Sequence, residues 1–342
     1  MIANTHKTAY RPGKALKRML QVAAVLCATL GAWQAQAQAL PQTTRIYVGS
    51  PPGGTNDVLA RLVADRLGKQ LNTTIVIENL SGAGGVIAQN KVASSPADGS
   101  TILLASTNDV LADAVAGTQK VQQGLTAVGG IAAVPFVLVG RPTLQAANLD
   151  ELARLARQPG SKLTIGGAGA GTYAHLAAEL VQREIDVRMV YAPYKGAAPA
   201  LTDLMGGHID LAMVGLTSVL PHLKAGSVRV YGLFSTKRSA LAPEVPTLLE
   251  STALKSMKPF ADAWIGLLMP VKTAPDIQRA FAAALTKVVA TDEVRQQIRQ
   301  VGADPAPMAL EEMQRIIASD TVAFTALAAL SEIVSTMVRA AF

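Results

Sequence analysis

Arg45–Leu71 reads RIYVGSPPGGTNDVLARLVADRLGKQL, and the fold is decided there. Arg45–Gly49 is a short run of strand-forming residues. Gly53-Gly54-Thr55-Asn56-Asp57 is turn chemistry. From Val58 to Leu71 apolar residues return at helical spacing, at Leu59, Leu62, Val63 and Leu67. A strand, a glycine loop and a helix therefore follow one another directly. The pattern recurs downstream. Thr74–Glu78 is strand-like, Ser81-Gly82-Ala83-Gly84-Gly85 is a second glycine loop, and Val86–Ala93 is helical. Pro96-Ala97-Asp98-Gly99 then turns the chain into the strand Thr101–Ala105. Such β-loop-α units in series predict an α/β protein with a parallel sheet between helices.

A second series follows Arg141-Pro142. It runs as helix Leu149–Arg157, strand Lys162–Ile165, glycine loop Gly166–Gly171, helix Thr172–Arg183, strand Arg188–Tyr191 and helix Pro199–Met205. Ile209–Val214, Arg229–Phe234 and Trp264–Met269 have the apolar character of buried strands. The remainder from Pro275 is largely helical, with Asp292-Glu293 at a helix start where the dipole favours acids. The absence of a low-complexity linker favours two lobes joined by strands over two tethered domains.

The chain has 342 residues, half of them apolar and 16% charged, ample for a large core. Its net charge of +7 points at first to a polyanionic partner. Residues 1–39, however, hold Lys7, Arg11, Lys14, Lys17 and Arg18 and no acid, so the body carries only +2. With aromatics at 4%, it has no nucleic-acid footprint. Those first residues have the layout of a secretory signal: basic Arg11–Arg18, apolar Met19–Trp33, then Ala35-Gln36-Ala37 and Ala37-Gln38-Ala39. The apolar run of about 15 residues falls short of the ~20 a membrane span needs. Cys27, the sole cysteine, lies inside it. The expected mature, periplasmic chain has no thiol, disulfide or thiolate metal site.

Each glycine loop joins a strand's carboxyl end to a helix start, where open parallel sheets place their ligands. The first-turn N–H groups lack intrahelical partners and carry the positive end of the helix dipole. Glycine permits close approach to that backbone, so anion capture by amides is one reading and simple turn formation the other. Gly169-Ala170-Gly171-Thr172-Tyr173-Ala174 fits the dinucleotide pattern G-x-G-x-x-G/A, but Arg188–Tyr191 runs into Ala192-Pro193 with no acid for a ribose. Gly-Lys occurs only at Gly13-Lys14 and Gly68-Lys69, neither followed by Ser or Thr. No G-x-S-x-G or H-E-x-x-H is present, and His175, His208 and His222 are far apart in sequence. His175, one turn into its helix, reads as a ligand contact, a loop brace or an ordinary polar residue. Lys195 reads as an anion attractor or a plain exposed lysine.

With these residues in view, the chain closely resembles the Bug family, the TctC-like substrate-binding proteins of tripartite tricarboxylate transporters, over about residues 43–315. The resemblance is carried by Pro51-Pro52-Gly53-Gly54-Thr55-Asn56-Asp57 with Ala60-Arg61, and by Glu78-Asn79 with Gly82-Ala83-Gly84-Gly85. Pro96-Ala97-Asp98-Gly99, His175-Leu176-Ala177, Pro193-Tyr194-Lys195-Gly196 and Pro199-Ala200-Leu201 follow in order. Pro221-His222, Lys224-Ala225-Gly226, Val245-Pro246-Thr247 and Trp264 with Gly266 complete the series.

The resemblance implies a two-lobed type 2 periplasmic-binding-protein fold with two crossover strands, near Val137–Arg141 and Trp264–Leu268. Lobe 1 is expected at 40–140 plus 266–342 and lobe 2 at 141–265. The implied ligand contacts are Gly53, Gly54, Thr55 and Asp57, with Gly82, Ala83, Gly84 and Gly85. Lobe 2 is expected to add Gly169, Ala170, Gly171 and Thr172, with His175, Tyr194, Lys195 and Gly196. Ser50, at the first strand end, and Ser106 and Asn108 of the third lobe-1 loop complete the set. Asp57 is better read as a helix cap than as a contact, since a carboxylate would repel a carboxylate ligand.

The implied function is capture of a small carboxylate or dicarboxylate by lobe closure and delivery to membrane permease subunits by a monomer. No cofactor, metal or nucleic acid is expected. An α/β enzyme acting on an anion and a sensor docking on a receptor are the alternatives. The chain departs from the family at several places. Ser50 replaces an aromatic, Leu80-Ser81 replaces Arg-Pro, and Val214-Gly215 stands where Asp-Asn is common. Losing that acid points away from amino-acid ligands. Asp109, an unusual acid in the third loop, is the residue able to reverse the inference.

Overall fold

The computed structural model describes residues 40–82, 85–118, 120–169, 171–254 and 262–329. The expected signal segment and the expected contacts Ala83, Gly84 and Ala170 lie outside these residues. The first sheet is built around β1 (Thr43–Val48), β2 (Thr74–Asn79) and β3 (Thr101–Ser106), all parallel. It continues through β10 (Ala263–Pro270), β4 (Leu125–Val134) and the short β11 (Asp304–Pro305), which run antiparallel to their neighbours. The order is β11-β4-β10-β3-β1-β2. β3 and β10, at its centre, are buried at every residue, which explains their unbroken apolar sequences. β1 alternates: Ile46 and Val48 enter one core and Tyr47 another.

The second sheet contains β5 (Phe136–Gly140), β6 (Thr164–Ala168), β7 (Val190–Tyr194), β8 (Leu211–Gly215) and β9 (Arg229–Phe234), in the order β7-β6-β8-β5-β9. β6 is parallel to β7 and β8, and β5 is antiparallel to β8 and β9. Both sheets are thus mixed, with the expected parallel βα units at one side of each. The first passage between them falls at Pro135, the single residue between β4 and β5. A proline has no N–H for a ladder and suits a strand boundary. Val137–Arg141 therefore lies beyond the passage, in the second sheet, and Trp264–Leu268 lies within the first. The return runs between β9 and β10.

The helices follow the strands. α1 (Thr55–Leu71) buries Leu59, Ala60, Val63, Ala64 and Leu67 on one face, at the spacing read from its sequence. α2 (Val86–Ala93), α3 (Thr107–Ala116) and α4 (Lys120–Gly124) complete the first part. α5 (Leu149–Ala156), α6 (Tyr173–Glu184), α7 (Ala197–Met205) and α8 (Leu216–Lys224) flank the second sheet's strands in sequence. α9 (Pro275–Ala290), α10 (Asp292–Gln300) and α11 (Leu310–Ala329) close the described chain.

The glycine loop expected from Gly166 starts only after Ala168. Gly166 and Gly167 are strand residues, and their role is clearance. A Cβ at Gly166 would stand 2.9 Å from the Tyr194 ring, and one at Gly167 would stand 2.5 Å from the Tyr191 hydroxyl.

One core unites the two sheets. It includes Leu103 and Trp264 from the first and Leu138, Ile165, Met213 and Phe234 from the second, with Tyr173 of α6 and Phe324 of α11. The Tyr173 ring packs 5.3 Å from Phe136 and 5.9 Å from Phe234 in tilted and edge-on arrangements, the geometries aromatic quadrupoles favour. Among the described residues no helix is long and apolar enough to cross a membrane.

Candidate functional site

Six helices begin just beyond strand carboxyl ends, and their starts define the site. Gly54, Gly85, Gly196 and Gly215 occupy the N-cap positions of α1, α2, α7 and α8, so none has a side chain to cap its helix. Thr172 precedes α6, but its hydroxyl donates instead to the Gly169 carbonyl at 2.8 Å. These starts thus lack side-chain caps, although the first-turn Leu216 N–H of α8 donates to the Pro135 carbonyl at 2.8 Å.

In the first sheet the starts of α2 and α3 meet at the end of β1. A Cβ on Gly49 would stand 2.8 Å from the Gly85 Cα, so the end of β1 and the start of α2 touch through glycine backbone. Gly85 has φ +101°, and a Cβ there would stand 2.6 Å from Asp109 Oδ1 of α3. The second sheet joins them where the Tyr173 N–H, in the first turn of α6, donates to Asn108 Oδ1 at 2.8 Å.

Asp57 organises the first loop. Its carboxylate accepts the Gly53 N–H at 2.9 Å, the Asn79 side-chain amide at 2.9 Å and the Arg61 Nε at 3.0 Å. The Asn79 amide also donates to the Ser50 carbonyl, at 3.1 Å, which pins the loop to the end of β2. The Arg61 hydrogen bond outweighs the opposing effect of burial and, with Gly53 and Asn79, holds the Asp57 carboxyl at about 2. Its cap-like role agrees with the sequence reading, and the Gly53 amide is occupied by it.

Asp109 is also fully engaged, and this corrects the picture of an acid in a third loop. Ser106–Asp109 is a capping box at the start of α3. Asp109 Oδ2 accepts the Ser106 N–H at 2.8 Å and the Ser106 hydroxyl at 2.9 Å, and Oδ1 accepts Gln89 Nε2 at 3.1 Å. Burial raises its carboxyl above the usual range. Ser106 and Asp109 therefore satisfy each other.

The second-sheet residues divide. His175 is buried, stacks on Tyr191 at 3.9 Å, and accepts the Gly171 N–H on Nδ1 at 3.2 Å. Of the three readings, this geometry is that of a loop brace. Its Nε2 lies 3.6 Å from Glu179. The Tyr191 hydroxyl donates to the Ala168 carbonyl at 2.6 Å. Tyr194 donates to Asp203 of α7 at 2.7 Å, and burial, seconded by Asp203, pushes its phenol up to about 12. Lys195 is exposed, as are Gly53, Gly54, Thr55 and Asn108. Gly82 (φ +138°), Gly169 and Gly171 are partly buried. Ser50 keeps its hydroxyl buried without a protein partner.

Sequence reasoning missed Gln89, Tyr191 and Asp262. Asp262 precedes β10 and accepts the Thr236 N–H at 3.4 Å. It is close enough to Tyr173 that its charge, after burial and Asp320, helps push that phenol up. No metal-binding cluster of His, Cys, Asp and Glu is present among the described residues.

Comparison with known proteins places this geometry in context. The family described as tripartite tricarboxylate transporter family receptor matches residues 59–328. The protein BugT of Bordetella pertussis is 31% identical over 311 residues, covering 89% of this chain and 94% of BugT. The crystal structure of a TctC solute binding protein from Polaromonas superposes with a TM-score of 0.74 at 26% identity, over 83% of this chain and 97% of that one. MatC from Rhodopseudomonas palustris with bound malate gives 0.68 at 25% identity, over 84% and 98%.

Proposed function

The chain belongs to the tripartite tricarboxylate transporter receptor family, a family of solute-binding proteins and not of enzymes, and we propose that it captures a small amine-free carboxylate in the periplasm. Capture takes place between the two sheets, and the liganded form docks on membrane permease subunits. The two lobes follow the sheets, with the exchange at Pro135. The leader ending near Ala39 is removed on export.

The observation that carries the reading is the set of glycine helix starts without side-chain caps on both sheets, with the α3 and α6 starts joined across the sheets by the Asn108–Tyr173 hydrogen bond. A carboxylate there meets backbone N–H groups and helix dipoles, which need no arginine to favour an anion. An ammonium group needs an acid, because an unpaired buried charge costs several kcal/mol. Asp57 and Asp109 are committed to the scaffold, and Val214 is apolar and buried. Bound malate in MatC, an amine-free dicarboxylate, agrees with this ligand class.

Selectivity follows from differential stabilisation of open and closed forms, since only a difference in affinity shifts that balance. The test is a thermal-shift screen of periplasmic protein against a carboxylate library. A ligand at 100 times its Kd adds about 2.7 kcal/mol of stability. We expect hits among dicarboxylates without amines; a screen whose only hits are amino acids, or in which a hit is turned over, overturns the reading.

A further inference from the structure

Asn108 is the second residue of α3, and its carboxamide oxygen sits on the first-turn N–H of α6, 65 positions away in sequence. The side chains nearest the start of α6 cap none of its amides. The Thr172 hydroxyl has turned to Gly169, and His175 Nδ1 is occupied by the Gly171 N–H. Asn108 therefore supplies what an N-cap side chain supplies elsewhere, as Asn148 does by accepting the Glu151 N–H of α5 at 2.9 Å. The oxygen lies near the positive ends of two helices, α3 and α6, the position that most favours an anion.

We propose that Asn108 is a built-in competitor of the ligand, resting on the carboxylate-capture reading above. In the unliganded protein its neutral oxygen holds the α6 amide and adds a polar tie, at the rim, to the core that the two sheets share. The incoming carboxylate takes that amide, because an ionised acceptor bonds an N–H more strongly than a carboxamide does. The self-bonded form is unavailable to ligand, so its population lowers the apparent affinity in proportion. Asn108 thereby sets a threshold that weak, singly hydrogen-bonding solutes fail to pass.

The experiment uses protein purified from the periplasm after expression of the full chain, with succinate and malate as probes in calorimetry. Losing one neutral hydrogen bond corresponds to a rise in affinity of about two- to tenfold for Asn108→Ala. Asn108→Asp places a carboxylate on the same amide and is expected to weaken binding by about tenfold or more. X-ray scattering of the unliganded proteins is expected to show a larger radius of gyration for Asn108→Ala than for wild type. Unchanged or weaker binding by Asn108→Ala overturns the proposal. If wild type binds neither probe, the calorimetry uses a dicarboxylate hit of the thermal-shift screen; a screen without such a hit fails the functional reading by itself, and an unchanged radius in the scattering comparison overturns the competitor independently.

Discussion

Gly54 and Gly85 begin two helices for different physical reasons, and substitution separates them. Gly54 has φ −74° and extended ψ, and a Cβ there meets only the Pro51 carbonyl at 3.5 Å. Gly54→Val should therefore keep the fold by circular dichroism while a branched side chain obstructs the amides of α1, abolishing ligand-induced stabilisation. Unchanged binding would reduce this loop to a turn. Gly85 combines a positive φ with contact at Asp109, so Gly85→Ala should cost about 1–3 kcal/mol of stability in thermal unfolding whatever its effect on ligand. At this scale the sequence was half readable. Asp57 was recognisable as a cap because a carboxylate facing a carboxylate ligand would repel it. Asp109 was misread because Ser106-Thr107-Asn108-Asp109 looks like loop chemistry; its Ser-x-x-acid spacing was the available sign of a capping box.

Among the elements, strand and helix periodicity located β1, α1, β2, α2 and β9 closely. What escaped was governed by neighbours in space. Gly166 and Gly167 look like a turn until Tyr191 and Tyr194 of the adjacent strand are seen to need the room. The docking of α11 on β10 had no local signature either. It rests in part on Asp320, which is buried and accepts the Trp264 indole N–H at 2.8 Å. Burial raises the Asp320 carboxyl to about 6 against the opposing effect of the indole bond. A raised carboxyl means that folding favours the protonated form. Its contribution to stability is fully present below the unfolded value near 4 and is lost as pH rises through about 6. In protein without the leader, and so without Trp33, Trp264 is the only tryptophan. Its fluorescence should titrate with a midpoint near pH 6. Asp320→Asn, which keeps an acceptor for the indole, should remove that transition and flatten the pH dependence of stability between about pH 4 and 6. A titration unaffected by Asp320→Asn would refute the assignment.

At the scale of the whole molecule, the repeated βα units announced an α/β architecture, and the ordered motifs announced the family. The point of exchange between sheets was displaced in the sequence reading because Val137–Arg141 resembles any other buried strand, whereas Pro135 alone marks the break. Export is tested by mass spectrometry of periplasmic material, which should show a chain starting at Gln38 or Leu40 without Cys27. An intact N-terminus on membrane-bound protein would refute it. The central claim concerns the ligand, and it turns on whether any acid remains to receive an ammonium group. Asp57 and Asp109 do not, and Asp262, which among the described residues accepts the Thr236 N–H at 3.4 Å, is the acid best placed to receive one. Calorimetry with matched pairs, succinate against aspartate and glutarate against glutamate, decides it directly. Each dicarboxylate should bind at least about tenfold more tightly than its amino-acid partner, as expected for a buried ammonium left without a counter-charge. Tighter binding of the amino acids, with the advantage abolished by Asp262→Asn, would contradict it and identify Asp262 as the ammonium partner.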